Sequence, residues 1–161
     1  MEEYKAITGN YNGKIHLEYL PCINYAMIHN HISSCNFCEL VNEDDFDWNV
    51  VKVSIDGEFI KHSETVIEII PGGKSLLIKT LAVEPEVPKL IDLTEGIDTA
   101  FTLVVTVSEK LAFQEDYPVT LMTYEQWTGI HIIPELLSAF VTPNHPLLSL
   151  SLIHISEPTR P

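Results

Sequence analysis

Apolar and polar residues alternate with a period of two along most of the first 125 residues, the repeat of a strand with one buried face. From Lys14 to Leu20, Ile15, Leu17 and Tyr19 share one face while His16, Glu18 and Leu20 share the other. Ile23 to Ile28 reads as a second extended run, and Leu40-Val41 leads into the acidic stretch Asn42 to Asp47, whose short polar side chains favour a turn. Beyond it, Trp48, Val51, Val53 and Ile55 point inward with Lys52 and Ser54 outward, and Asp56-Gly57 signals a hairpin turn. Thr65 to Ile70 is a strand closed by Pro71-Gly72-Gly73. Ser75 to Val83 follows, then the stiff, proline-containing run Glu84 to Pro88. Ala100 to Val107, rich in β-branched residues, and Tyr117 to Tyr124 complete the set. Seven or eight short strands separated by turns predict an all-β fold, an antiparallel immunoglobulin-like β-sandwich over residues 1–125.

The pattern changes at Glu125. Residues 126–149 read as a connector in which Pro134 and Glu135 open a short helix carried by Leu136, Leu137, Ala139, Phe140 and Val141. Thr142-Pro143-Asn144-His145-Pro146 ends it. A helix after a closed sandwich, followed by proline-rich chain, predicts a bridge to a further domain. Its apolar side is expected to bury there, through Trp127, Pro134, Leu136, Leu137, Phe140, Pro143 and His145.

Charge narrows the function classes. The formal net charge of the 161 residues is −14. This opposes binding to a phosphate backbone, which depends on lysine and arginine displacing counterions. The module is therefore not expected to bind nucleic acid directly. The N-terminus is acidic and polar, no stretch of about 18 apolar residues exists to span a membrane, and three cysteines do not make a disulfide framework. These features place the chain in the cytoplasm by expectation.

Candidate chemistry is sparse. Gly73-Lys74-Ser75 matches the tail of a phosphate-binding loop, but the earlier glycine of that pattern is replaced by Glu68, and the flanking text is strand-turn-strand. A hairpin turn is the better reading. His29, His31, Cys35 and Cys38 carry zinc's preferred donor types. On a continuous strand, however, the two cysteines would face opposite ways, and reactive C-x-x-C pairs sit at helix N-termini. No nucleophile–base pair is recognisable, the paired acids fall in turns, and the aromatics recur at strand positions. The expectation is a module without catalytic residues, metal or cofactor.

One segment is distinctive: Tyr124 to Gly129 (YEQWTG) followed by Pro134 to Pro146 (PELLSAFVTPNHP). With Ile23-Asn24-Tyr25-Ala26, Leu40-Val41-Asn42, Pro71-Gly72-Gly73 and Tyr117-Pro118-Val119, it resembles the N-terminal region of large bacterial proteins of unknown function that carry a superfamily I DNA/RNA helicase further on. The resemblance covers residues 20–148. It implies an opening β-sandwich, then a transglutaminase-like region, a helicase core and often a nuclease-like part. The family's ATP site would lie beyond Ser149, so no catalytic residue transfers to this chain. Ser33 to Cys38 departs from the plain alternating strand expected there.

Leu150 to Arg160 resembles an in-frame translation of a transposase adapter used in library preparation. Arg160 is the single arginine of the chain. Residues 150–161 are therefore expected to lie outside the natural protein, and the chain to be the start of a longer one. The function expected is a non-catalytic accessory or interaction domain of a helicase-like protein, whose partners are downstream domains of the same chain. The alternatives are a free-standing β-sandwich binding module, or a zinc-binding domain built on His29, His31, Cys35 and Cys38.

Overall fold

Among the described residues the chain forms nine strands, most of them on these alternating runs: β1 (Lys5–Ile7), β2 (Gly13–Tyr19), β3 (Cys22–Ile23), β4 (Cys35–Asn42), β5 (Trp48–Gly57), β6 (Ile60–Ile70), β7 (Ser75–Ile78), β8 (Ile97–Val107) and β9 (Lys110–Leu121). The computed structural model describes residues 4–123, apart from positions 8, 25–26, 29–32, 80, 87 and 90–91. The connector helix, the residues proposed to contact a next domain and the terminal 150–161 all lie outside the described residues. Among the described residues, no helix is long and apolar enough to cross a membrane.

The fold is all-β, in two sheets. One runs β1-β2-β4-β7 and the other β3-β9-β8-β5-β6. All pairings are antiparallel except one, Cys22-Ile23 beside Thr120-Leu121, which is parallel. The exception follows from the chain path. After β2 the chain leaves the first sheet and, still running the same way, reaches the edge of the second, where Pro21 O accepts from Thr120 N at 2.9 Å and Ile23 O from Met122 N at 2.8 Å.

Both sheets contribute to a single core. Ile15 and Leu40 from one sheet, with Trp48, Val51, Val53, Ile55, Leu103, Val105 and Leu121 from the other, are fully buried. Trp48 fits because Gly13 has no side chain: a Cβ there would lie 2.5 Å from Trp48 Cη2 and closer still to Val41 O. Tyr11 seals this end, with its ring edge-on to Trp48 at 5.9 Å and its hydroxyl donating to Val107 O at 2.9 Å.

Several elements differ from the expected ones. Ile23 to Ile28 is not one extended run: the strand stops at Ile23, and Met27-Ile28 belong to a helical turn. Asn24 caps it, its Oδ1 accepting from Met27 N at 2.8 Å, as a short polar side chain does at a helix start. The β5–β6 hairpin closes through Glu58-Phe59, one step beyond Asp56-Gly57. Pro71-Gly72-Gly73 is not a hairpin turn, since β6 and β7 belong to different sheets; it is a crossover between them. Ser75 to Val83 pairs only as far as Ile78. Residues 82–86 then run along the edge of β6, with Pro85 bridging Ile60.

β9 is longer than its apolar text because pairing with β8 begins at Lys110. Pro118 sits within it without cost to the ladder. Its carbonyl accepts from the Tyr19 hydroxyl at 3.0 Å, so the proline's missing N–H lies on the open side rather than toward β8.

Candidate functional site

The acidic turn after β4 is a structural hub. Asn42 is fully buried and donates from Nδ2 to Phe46 O (3.0 Å) and Ile70 O (2.9 Å), while its Oδ1 accepts from Asp44 N at 3.0 Å. Asp44 Oδ2 accepts from the buried Trp48 Nε1 at 2.8 Å and from Asn12 N at 3.1 Å. The amides of the Pro71-Gly72-Gly73 crossover are used here too: Gly72 N donates to Asp47 Oδ1 (3.0 Å) and Gly73 N to Asp44 O (3.1 Å). Their N–H groups face carboxylate and carbonyl oxygens, the opposite of a phosphate cradle. The sequence offered Asn42 and Asp44 only as turn formers; their role as core anchors depends on contacts up to 32 positions away.

The cysteines answer a question of register. Glu18 pairs with Phe37 but Tyr19 pairs with Cys35, so Asn36 is an extra residue in β4. This bulge turns the strand by one position and brings Cys35 and Cys38 to the same, core-facing side. That corrects the expectation of opposite faces. Burial, with the Glu18 charge second, pushes the Cys35 thiol up to about 11. Burial, with Cys35 second, pushes Cys38 up to about 12. Cys22 is also raised by burial. All three are free, and neutral thiols in such a setting are poor nucleophiles. His29 and His31 lie outside the described residues. Among the described residues, no three His, Cys, Asp or Glu side chains are grouped to hold a metal ion.

A cleft of about 360 Å³ opens at the side of the fold where β2 approaches β9, lined by Lys5, His16, Glu18, Tyr19, Asp116 and Tyr117 among others. Tyr117 stacks on Phe101 with centroids 5.5 Å apart and planes 14° apart, and Tyr19 stands edge-on to both rings. Lys5 Nζ lies 4.7 Å from the centre of the Tyr117 ring and pairs with Glu115 Oε1 at 2.5 Å. Burial, reinforced by Glu115, raises the Tyr117 phenol well above its ordinary range, and burial raises Tyr19. His16 is buried on the outer side of its sheet, between Tyr4 at 5.0 Å and Phe37 at 5.3 Å. Glu18 and Asp116 leave the cleft a negative rim, with its cation already committed to Glu115 and an aromatic face. None of these residues was singled out from the sequence as a site, because β1 and β2 lie about 100 positions from β9.

The chain was compared with protein-family models, with curated proteins and with solved structures, and none of the three gave a match.

Proposed function

We propose that the chain is a non-catalytic interaction module with an immunoglobulin-like fold, placed ahead of the catalytic parts of a larger helicase-like protein. The observation that carries the reading is the use made of its polar side chains. Asp44, Asp47 and Asn42 tie the crossovers together, Lys5 is paired and stacked, and the three thiols are buried and held neutral. The strand order supports the fold assignment. β2 pairs with β4 in one sheet, the chain then switches sheets at β3 to run parallel to the last strand, and β9-β8-β5-β6 form the second face. The helicase association rests on the resemblance of residues 20–148 described above.

In this reading Trp127, Pro134, Leu136, Leu137, Phe140, Pro143 and His145 form the contact to a following domain. Hydrogen exchange followed by mass spectrometry on the isolated chain tests it. Amides of 126–148 are expected to exchange within the dead time while those of β5 and β8 stay protected. Strong protection of 126–148 in a monomer would overturn the assignment, as would ATP hydrolysis or duplex binding by the purified chain at physiological salt.

A further inference from the structure

The second sheet ends in β6, a strand of 11 residues whose outer side is only half covered. Lys61 N donates to Glu84 O at 2.7 Å, Glu86 N donates to Phe59 O at 2.8 Å, and Ser63 Oγ donates to Ala82 O at 2.7 Å. These bonds fix which residues turn their backbone groups outward. Phe59 and Lys61 do, but β6 then carries one extra residue, since Gly57 pairs with Ile60 while Ile55 pairs with Ser63; the alternation shifts there, so Ser63, Thr65 and Ile67 turn to β5 and Glu64, Val66 and Glu68 turn outward. Residues 82–86 stop covering the edge at Ser63. Beyond it, among the described residues, β6 pairs with β5 alone.

The uncovered stretch carries a definite side-chain code. Glu64, Val66 and Glu68 share the outer face, Val66 standing 57 % exposed opposite Lys52 on β5. Neither Glu64 nor Glu68 is in an ion pair among the described residues. Thr65 and Ile67 lie on the other face, half-buried, and Ile69 is exposed. A long edge with exposed apolar residues and no proline is one that proteins ordinarily block.

We propose that residues 64–69 of β6 are a docking edge for an extended basic–apolar segment of a partner protein, added as a further antiparallel strand. Backbone groups of Glu64, Val66 and Glu68 supply the hydrogen bonds, and alternate side chains supply specificity. The chemistry of the guest follows from the code: lysine or arginine opposite Glu64 and Glu68, and an aliphatic residue opposite Val66. The net charge of −14 favours such a guest and disfavours a second copy of this chain. The proposal names the partner class for the interaction-module reading and can fail separately from it, since exchange at 126–148 reports nothing about β6.

The test uses the full chain, isotope-labelled, and blocked hexapeptides followed by NMR. Thr-Lys-Val-Val-Thr-Lys is expected to shift the amides of 64–69 and to bind more tightly than Thr-Glu-Val-Val-Thr-Glu. N-methylation of the fourth residue, whose N–H would face Val66, should weaken binding by about tenfold, while N-methylation of the third, facing away from β6, should leave it nearly unchanged. The double variant Glu64→Lys/Glu68→Lys should reverse the preference between the two peptides. Val66→Pro should abolish binding while leaving the β5 ladder intact, because that N–H points outward. Equal effects of the two methylations would overturn the proposal. So would shifts confined to another edge, self-association through β6, or slow exchange of the 64, 66 and 68 amides in the free chain.

Discussion

The buried cysteines make the chain sensitive to alkali in a way that can be worked out. In the unfolded chain a thiol ionises near 9.0, whereas in the fold burial holds Cys35 near 11 and Cys38 near 12. An acid whose pKa is raised by folding leaves stability intact below the unfolded value. Stability is then lost as pH rises, because only the unfolded chain releases the proton. Each thiol therefore costs about 1.4 kcal/mol between pH 8 and pH 10. Both remain neutral in the fold at pH 10, so their effects add to about 3 kcal/mol there, a large part of an ordinary domain's stability. Tyr117 and Tyr19 act in the same direction, starting from 10.0. The assay is urea unfolding at pH 8 and pH 10 under reducing conditions, read by tryptophan fluorescence. The variant Cys35→Ala/Cys38→Ala will be less stable at pH 8 because it loses core volume, but the drop from pH 8 to pH 10 should shrink by about 3 kcal/mol. An equal drop in both proteins would refute the buried placement of the thiols, and with it the bulge at Asn36 that puts them there.

Three further substitutions probe the rest of the framework. The β8–β9 hairpin turns at Ser108-Glu109 with φ of 48° and 65°, a left-handed pair that side chains disfavour, so Glu109→Gly should stabilise the fold by about 1 kcal/mol in urea melts. Asp44→Ala removes the acceptor of the buried Trp48 indole and of Asn12 N, and should destabilise by about 2–4 kcal/mol with a change in tryptophan emission. Gly13→Ala forces a Cβ against Trp48 and the Val41 carbonyl and should cost about 3 kcal/mol or more by thermal unfolding, whereas Gly73→Ala, with φ of 66° and open space around it, should cost only about 1.

The parts of the fold legible in the sequence are those a period of two dictates. Val51, Val53 and Ile55 alternate with Lys52 and Ser54 because one face of β5 meets the core, and all three apolar residues are fully buried. What failed was set by partners far along the chain. The strand from Ile23 was cut short because Asn24 caps a helical turn, a choice that local apolar content does not reveal. The first half of β9 was missed because Gln114, Glu115 and Asp116 look like loop residues. Two of them, Gln114 and Asp116, are simply the exposed side of a strand held by β8. The cysteine faces were misjudged because a single inserted residue inverts them, and a bulge leaves no periodic trace. The cleft was invisible since its residues come from both ends of the described chain.

The distribution of acids joins these findings. Charged side chains near the β4–β5 crossover are consumed as acceptors for backbone and indole N–H groups, so they add order rather than reactivity. Glu64 and Glu68 are different: they stand in register on a long edge that, among the described residues, is covered for only part of its length. A solvated edge strand is usually protected by lysine or proline, and acids protect it equally well against self-pairing. Against a basic strand the same acids attract. One arrangement thus keeps the isolated chain from stacking on itself and selects the charge of any strand that joins it.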